Sequence, residues 1–460
     1  MPLHKNQLIP LTITALSSDG NGVGRHEGQV VFVPHAAVGD VLSVRVVKPA
    51  KRLAYGKIEQ VVTPGPGRVP PDCPASTQCG GCSFRHLSYA AELAAKQSFV
   101  QDALVRIGQL DVPVLPPIPS PLQNRYRNKV QYPVTTDAQG RLAYGFFAPR
   151  SHRVVPCCGC LLQPAHLNQI AARLAALLGQ AGALPYNEAT HKGQVRHLYL
   201  RQSTHSGEVF VCVVATRLPL PGADALVEEL TAAFPQVSTV LVNLNAKPTN
   251  VICGPESVSL FGPGFIHDTL AGVPVRLGPH SFFQVNAPAA EQLFAIVQTL
   301  ADPMPNTTLL DLYCGTGVIG LSMAARCKTL LGVDTSAEAI ENARWSAEEM
   351  GLSNTRFLCA DAGSAAARFA FEGLRPDVIT VDPPRKGLDE ATRRAMLAMA
   401  PGRIVMVSCN PATLARDLAV FHQSGYSIRP VQPIDLFPRT RHVECVVLLQ
   451  RRDEVSFTKG

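Results

Sequence analysis

The stretch Thr308-Leu-Leu-Asp-Leu-Tyr-Cys-Gly-Thr-Gly-Val-Ile-Gly320 joins a short apolar run to an apolar helical segment through a glycine-rich turn. Similar apolar runs follow it, separated by segments of helical character, at 329–334, 355–359, 377–382 and 403–408. Strands that alternate with helices predict a mainly parallel sheet covered by helices on both faces. We therefore expect residues 276–460 to form one α/β domain, with 443–450 as a late strand.

The glycine-rich turn fits the pattern GxGxxG, in which Gly315 and Gly317 let the backbone approach a ligand closely. Asp311 ends the strand before the turn and Asp382 follows a later strand, which favours S-adenosylmethionine (SAM) over NAD. Asp334 ends the next strand, where an acid holds ribose hydroxyls in either case. Binding of NAD and a turn without a ligand remain the alternatives.

The first part of the chain has a different texture. Residues 8–62 contain short runs rich in Val, Ile and Leu at 8–16, 29–34, 41–48 and 55–62, separated by turn sequences. Four or five strands in this length predict a small OB-like barrel, a fold that often binds nucleic acid. Residues 1–70 hold eight Lys/Arg against four Asp/Glu, and residues 121–155 hold six against one. This uneven charge indicates a polyanionic partner or a solvated surface.

Composition and length exclude several classes of protein. The 460 residues allow two to four domains, and 46% hydrophobic residues exclude a disordered chain. There is no apolar run of about 18 residues to span a membrane, and Met1-Pro-Leu-His-Lys-Asn-Gln7 is not an export signal. We expect a cytoplasmic protein with no membrane partner.

Between a Pro-rich linker at 64–71 and residue 275, mixed patterns of strand and helix predict a central α+β domain with helices near 86–108, 166–180 and 222–234.

Cysteines cluster at the start of that central domain. The 13 cysteines lack an export signal, which argues against a disulfide framework. Cys73-x5-Cys79-Gly-Gly-Cys82 is a close trio, and four thiolates can hold a 4Fe–4S cluster or a zinc ion. The spacing differs from the paired CxxC of zinc ribbons and favours iron–sulfur. A redox CxxC and buried thiols are the alternatives, and the candidates for a fourth ligand are Cys157, Cys158 and Cys160.

Two residues near the ends of late strands are candidates for catalysis. Cys409 follows a buried strand and precedes a turn-forming Asn-Pro, where α/β folds place active groups, so we interpret it as a nucleophile. Glu444 enters the hydrophobic strand 443–450, and a general base is one reason for a carboxylate there. The alternative for Glu444 is a structural pairing with Arg439 or Arg441.

In combination, these motifs resemble the SAM-dependent RNA uracil-5 methyltransferases, of the iron–sulfur type that acts on 23S rRNA, along essentially the whole chain. The motifs that carry the resemblance are the cysteine trio, Ser151-His-Arg-Val-Val-Pro-x3-Cys160-Leu-Leu-Gln163, Ser281-Phe-Phe-Gln-Val-Asn286, the glycine-rich turn, Asp382-Pro-Pro-Arg385, Ser408-Cys-Asn-Pro411 and His442-Val-Glu444. The resemblance implies a TRAM barrel at 1–63, a central iron–sulfur and RNA-binding domain at 64–275, and a Rossmann-like methyltransferase domain at 276–460. It also implies that the helix at 89–108 packs on the catalytic domain.

The resemblance further assigns roles to residues. It implies Cys160 as the fourth ligand of a 4Fe–4S cluster, after Cys73, Cys79 and Cys82. It implies SAM contacts from Gln284, Tyr313, Gly315, Gly317, Asp334 and Asp382. The family usually has Glu at 334 and His at 439, where this chain has Asp and Arg.

The chemistry fits the residue types. Cys409 adds to carbon 6 of uracil, carbon 5 takes the methyl group from SAM, and Glu444 removes the carbon-5 proton before Cys409 leaves. Arg385 or Arg441 stabilises the enolate oxygen. The partner is 23S rRNA with its target uridine flipped out, and no protein partner is implied.

Three other functions are less consistent with the sequence. The same chemistry on tRNA is disfavoured, because the tRNA-type relatives look like shorter proteins that lack both the barrel and the cysteine cluster. An inactive RNA-binding protein is disfavoured by the intact Cys409 and Glu444. A radical SAM enzyme is disfavoured by the cysteine spacing and the separate SAM fold.

Overall fold

The computed structural model describes residues 3–157 and 159–452, and its first part is a closed barrel. Its five strands pair in the order β1-β2-β3-β5-β4: β1 (Leu8–Leu16), β2 (Gly22–His26), β3 (Gln29–Val33), β4 (Val41–Pro49) and β5 (Leu53–Thr63). Alternate side chains of β1, such as Ile9, Leu11 and Ile13, fill its core. The predicted barrel is confirmed, but β2 was missed because its glycines look like turn residues. A Cβ at Gly24 would lie 2.5 Å from the Thr12 carbonyl oxygen, so close strand approach explains that glycine.

The central region is built on a seven-stranded sheet. Its order is β12-β11-β10-β9-β6-β7-β8, with β6 (Lys129–Thr136), β7 (Leu142–Phe147), β8 (Val154–Pro156), β9 (Val195–Gln202), β10 (Val209–Ala215), β11 (Val237–Leu244) and β12 (Glu256–Phe261). Successive side chains of a strand face opposite sides. Val209, Val211 and Val213 pack with the helices α2 (Ala165–Gln180) and α3 (Ala223–Ala233). Phe210 and Cys212 pack into the core of the C-terminal region instead, so β10 is buried on both faces.

One helix from the central part of the sequence belongs to the C-terminal core. Helix α1 (Tyr89–Ala103) begins at Ser88, whose side chain accepts a hydrogen bond from the Ala91 amide, and continues as a π-helical turn over Leu104–Gly108. Val100 and Leu104 share a buried cluster with residues of the last long helix. Helix α1 is therefore in contact with the C-terminal region despite its early position in the sequence.

The C-terminal region is a doubly covered sheet in the order β17-β16-β15-β18-β19-β22-β20, with β21 pairing to β22. The strands β15 to β19 are parallel to one another and β22 is antiparallel to β19, so the prediction of a mainly parallel sheet is confirmed. The strands are β15 (Thr308–Leu312), β16 (Thr329–Asp334), β17 (Thr355–Cys359), β18 (Val378–Val381), β19 (Arg403–Ser408), β20 (Tyr426–Ile428), β21 (Gln432–Ile434) and β22 (Glu444–Arg451). The helices are α4 (Ala287–Ala301), α5 (Val318–Ala324), α6 (Ala337–Glu349), α7 (Ala362–Phe371), α8 (Glu390–Met399) and α9 (Pro411–Gln423).

A separate hairpin precedes this sheet, formed by β13 (Ile266–Leu270) and β14 (Val273–Leu277). The expected domain boundary between 275 and 276 cuts through β14 and needs correction. Val273 and Val275 are fully buried in one cluster with Leu293 of α4, so the whole hairpin packs with the C-terminal region. Among the described residues, no helix is both long and apolar enough to cross a membrane.

Candidate active site

A cleft of about 730 Å³ opens at the carboxyl ends of the parallel strands. In open α/β sheets ligands bind at this edge. The ends of three strands line the cleft and contribute Asp334 as the last residue of β16, Asp382 directly after β18 and Cys409 directly after β19. Of the predicted residues, the cleft is also lined by Gln284, Tyr313, Gly315 and Glu444. The structure thus brings five of the six predicted SAM-contacting residues and the two predicted catalytic residues to one cavity. The sixth, Gly317, lies in the same turn but does not line the cavity.

The glycine-rich turn forms one wall of the cleft. Tyr313, Gly315 and Gly317 all have left-handed backbone angles, with φ of 61°, 56° and 79°. The Gly315 amide donates to Asp334 Oδ2 at 3.0 Å. Beneath the turn, the buried Asp311 accepts hydrogen bonds from the Gly320 amide at 3.1 Å and from Thr380 Oγ1 at 2.6 Å. Asp311 therefore supports the turn, and burial raises its pKa to about 7.

The remaining predicted cofactor residues surround the turn. Asp334 also accepts a hydrogen bond from the Ser336 amide at 2.9 Å, which fixes its carboxylate near the N-terminus of α6. Burial raises the pKa of Asp382 to about 6. The backbone of Gln284 is held in place, because its main-chain carbonyl oxygen accepts a hydrogen bond from Asn128 Nδ2 at 3.0 Å. These carboxylates and the amide are suited to hold the ribose, amino and carboxylate groups of SAM.

Two acids that line the cleft were missed. Glu338, in the first turn of α6, accepts a hydrogen bond from Ser281 Oγ at 2.8 Å. Asp361 caps α7 by accepting from the Ser364 amide at 3.0 Å. Both lie at the cleft wall. An acid in the first helical turn is usually explained by capping, but the position of Asp361 two residues after β17 was a usable signal.

Cys409 and Glu444 lie at the same end of two paired strands. Strand β19 is antiparallel to β22, and the pairing ends with Ser408 opposite Cys445. Cys409 directly follows Ser408, Glu444 directly precedes Cys445, and both line the cleft. Cys409 is half-buried, and its pKa is raised to about 11 by burial and by the charge of Glu444. Glu444 is buried, and desolvation raises its pKa well above the usual range.

Arg385 is the cation that acts on both of these groups. It lines the cleft, and its charge opposes the upward shift in the pKa of Cys409 and of Glu444. The other proposed cation, Arg441, instead donates to the Asp19 carbonyl oxygen of the barrel at 3.1 Å. Arg439 donates to Gln123 Oε1 at 2.9 Å. Of these three arginines, Arg385 is the one that lines the cleft, and no hydrogen bond or ion pair joins Arg439 or Arg441 to Glu444 in the described part of the chain.

His442 adds a neutral imidazole to the cleft. It lies beside Phe437, with ring centroids 6.0 Å apart, and both line the cavity. Burial, together with Arg385 and Arg441, lowers the pKa of His442 to about 4. The ring is therefore uncharged at neutral pH.

The predicted cysteine ligands surround a second, small cavity of about 50 Å³. It is lined by Cys73, Cys79, Cys82, Cys157 and Cys160, together with Arg85 and Arg127; Cys158 lies outside the described residues. The Nε atoms of Arg85 and Arg127 are buried with no hydrogen-bond partner in the described part of the chain. Two buried cations and thiol donors suit an anionic thiolate-bound group. Within residues 3–157 and 159–452, however, no three potential ligands converge on a single metal ion.

Comparison with known proteins gives consistent matches. Residues 272–452 match the family model described as tRNA (Uracil-5-)-methyltransferase, and residues 2–58 match the TRAM domain. The chain is 38% identical over 453 residues to an uncharacterized RNA methyltransferase of Halalkalibacterium halodurans, covering 98% of this chain and 99% of that protein. It is 36% identical over 449 residues to an uncharacterized RNA methyltransferase of Clostridium tetani, covering 98% and 97%.

A solved structure matches nearly the full length. The tRNA (uracil-54, C5)-methyltransferase of Pyrococcus abyssi, in complex with S-adenosyl-L-homocysteine, superposes with a TM-score of 0.76 and 28% identity, covering 96% of this chain and 100% of that one. A match over 96% of this chain must include most of the N-terminal barrel. The expectation that tRNA-type relatives are shorter and lack the barrel is therefore wrong for this relative.

Proposed function

The chain belongs to the SAM-dependent RNA uracil-5-methyltransferase family and carries its TRAM domain; on that premise we propose that it methylates carbon 5 of a uridine in 23S rRNA through Cys409 and Glu444. The observation that carries the proposal is that these two side chains line the same cleft as the glycine-rich turn, at adjoining ends of the paired strands β19 and β22. The proposed nucleophile, the proposed base and the proposed SAM contacts thus belong to one cavity.

The reaction needs both residues because carbon 5 of uracil is a poor nucleophile in the ground state. The Cys409 thiolate adds to carbon 6, and the ring becomes an enolate whose negative charge extends to carbon 5. Carbon 5 then takes the methyl group from the SAM sulfonium, which leaves as S-adenosylhomocysteine. Glu444 removes the proton that remains on carbon 5, and the electrons of that C–H bond re-form the double bond and expel Cys409.

The electrostatics of the site set the protonation states. A thiol with a pKa of about 11 is mostly protonated at neutral pH, so the reacting thiolate is a minor species unless RNA binding favours it. Arg385 opposes this, because a nearby positive charge stabilises the thiolate. The same cation is available for the enolate oxygen. Burial makes the Glu444 carboxylate a stronger base once it is ionised.

The choice of RNA is supported by sequence motifs and by surface charge. The likeness of the motifs to the 23S rRNA type supports rRNA, and the basic barrel and the segment 121–155 suit phosphate contacts. A second candidate substrate is tRNA, favoured by the likeness to the Pyrococcus abyssi enzyme along 96% of the chain. In either case the target uridine leaves its stack to reach Cys409. Either substrate fits a cytoplasmic enzyme with no membrane partner.

We further propose that Cys73, Cys79, Cys82 and Cys160 hold a 4Fe–4S cluster. The shared cavity supports an anionic group there, as do the Nε atoms of Arg85 and Arg127, which have no hydrogen-bond partner among the described residues. The Arg85 Nη1 atom, in contrast, donates to Asp72 and Asn124. When bound, the cluster supplies a covalent link between residues 73–82 and residue 160, and methyl transfer requires no electron from it. The proposed domains are then the barrel at 1–63, the cluster and RNA-binding domain from 64 to the loop before β13, and the catalytic domain.

The test is transfer of labelled methyl from SAM to unmodified 23S rRNA and to unmodified tRNA, side by side, followed by nucleoside analysis. We expect label in rRNA as 5-methyluridine. Label in tRNA alone would keep the reaction and replace the substrate. Absence of label from both RNAs would overturn the proposed activity and leave an RNA-binding protein.

A further inference from the structure

The loop that joins β21 to β22 contains His442 and leads directly into Glu444, the first residue of β22. Residues far away in the sequence form hydrogen bonds with this loop. We propose that Glu92 of α1 and the amides of Ser83 and Phe84 position this loop through three hydrogen bonds to the backbone of Arg439, together called the grip. The cysteine-rich segment 73–82 would then act on proton removal through the protein backbone. This inference rests on the proposed role of Glu444.

Arg439 is held at both of its backbone polar groups. Its amide donates to Glu92 Oε1 at 2.7 Å. Its carbonyl oxygen accepts from the Ser83 amide at 2.9 Å and from the Phe84 amide at 3.0 Å. Arg439 also has a left-handed backbone, with φ of 69°, which a residue with a side chain rarely adopts without support. These three hydrogen bonds fix a conformation that the loop alone does not favour.

Glu92 is itself fixed by a buried charge network. Lys96 Nζ donates to Glu92 Oε1 and to Asp435 Oδ1, both at 2.7 Å, and all three side chains are fully buried. Lys96 also donates to the Phe437 carbonyl oxygen at 3.2 Å. Tyr89 donates to Asp435 Oδ2 at 2.9 Å. A buried charge cannot easily reorient once its partners are in place, so α1 presents a rigid acceptor to the loop.

The two amides that donate to the Arg439 carbonyl oxygen belong to residues next to the cysteine-rich segment. Ser83 and Phe84 directly follow Cys82, and Phe84 is fully buried with its ring 6.4 Å from that of Phe99 on α1. The turn between β1 and β2 reaches the same place, because a Cβ at Gly20 would lie 3.4 Å from both Ser83 and Phe84. The barrel, the cysteine segment and α1 therefore meet on the loop five residues before Glu444.

The consequence concerns one chemical step. Cys409 lies after β19, outside this network, so its addition to carbon 6 does not depend on the grip. Glu444 must face the carbon-5 proton, and its approach depends on the path of the backbone from Arg439. Loosening the grip is therefore expected to slow resolution of the covalent intermediate more than its formation. A merely stabilising network would affect both steps alike.

The test compares Glu92→Ala with Glu92→Gln, whose amide oxygen can still accept from Arg439. The matched control is Asp102→Ala, which removes an exposed acid of the same helix that pairs with Arg106. Hydrogen exchange of the full-length protein is measured in the peptide 437–444 and in β10. Single-turnover reactions with RNA then measure formation and decay of the protein–RNA adduct, alongside the Kd for SAM.

For Glu92→Ala we expect exchange in 437–444 to become at least tenfold faster, with β10 and SAM binding unchanged, and adduct decay to slow at least tenfold. Glu92→Gln should restore most of both, and Asp102→Ala should behave as the wild type. Unchanged exchange, or equal slowing of both steps, would overturn the proposal. If Glu92→Ala loses SAM binding through misfolding, Phe84→Leu, which weakens the other side of the grip, is held to the same criteria. The exchange measurement needs no RNA, so it can fail independently of the proposed activity.

Discussion

Cys409 and Glu444 lie at the same end of two paired strands, because β19 and β22 pair with Ser408 opposite Cys445. One residue directly follows its strand and the other begins its strand. Asn410 caps α9 by accepting from the Ala412 amide at 3.1 Å, which turns the chain away immediately after the thiol. The antiparallel last strand thus brings a residue from the C-terminal end of the chain to an edge otherwise built from parallel strands.

Cys409→Ala should abolish methylation and leave SAM binding largely unchanged, because the thiol is the proposed nucleophile and lies outside the glycine-rich turn. The loss should exceed about 1000-fold, as for removal of other catalytic nucleophiles. Methyl transfer and SAM titration measure the two effects, and Cys359→Ala, which removes an exposed cysteine, is the control. Wild-type-like turnover of Cys409→Ala would exclude covalent catalysis by this thiol.

Arg385→Gln should lower the reactivity of Cys409 at neutral pH. Arg385 opposes the rise in the Cys409 pKa to about 11, so removing this cation destabilises the thiolate and moves the pKa further up. Alkylation of Cys409, followed by mass spectrometry, should increase with pH up to about 11 in the wild type and shift to higher pH in the variant. Arg394→Gln, at an exposed site on α8, should leave the profile unchanged. A shift to lower pH in Arg385→Gln would contradict the account.

Asp334→Asn should weaken SAM binding. The carboxylate accepts from the Gly315 and Ser336 amides and is the proposed acceptor for the ribose hydroxyls. Hydrogen bonds to charged groups contribute about 1.5–3 kcal/mol, so the Kd should rise about 10- to 100-fold. Asp334→Glu, which keeps a carboxylate, should retain most of the affinity, and Asp302→Asn at an exposed site should have no effect. Calorimetry that gives the same Kd for Asp334→Asn as for the wild type would remove this residue from the SAM site.

Cys160→Ser should abolish iron–sulfur binding while Cys157→Ser should retain it, because Cys160 is the proposed fourth ligand although both thiols line the cavity. Iron and sulfide content and visible absorbance of anaerobically purified protein measure the outcome. Retention by Cys160→Ser with loss by Cys157→Ser would reassign the ligand. Absence of iron and sulfide from the wild-type protein would remove the cluster from the account.

The fold was predictable where apolar periodicity is continuous. Strand β10 shows as an unbroken apolar run because both of its faces are buried, and the runs that form β15 to β19 are equally clear. Strand β2 was not predicted because Gly22 and Gly24 are typical of turns. Both positions need glycine because the backbone there packs closely against β1 and its surroundings. The hairpin β13–β14 was also missed, because its burial depends on α4, a contact that no local pattern reveals.

The candidate site was predictable where a strand ends in a polar residue. Asp334, Asp382 and Cys409 all follow apolar runs, and the structure gathers them at one cleft. The buried network of Lys96 with Asp435 could not be predicted, because it joins positions 339 residues apart. The roles of these residues stay predictions until the variants are measured.

The most direct test of the central claim uses Glu444→Gln with an RNA substrate and SAM. The amide cannot remove the carbon-5 proton, so the methylated intermediate should stay attached to the enzyme. The account predicts a slow-migrating protein–RNA species whose digestion gives a methylated uridine linked to Cys409. Under conditions where the wild type turns over, full activity of Glu444→Gln would contradict the proposed role of Glu444. Absence of any adduct at Cys409 in that variant would contradict the account of both residues.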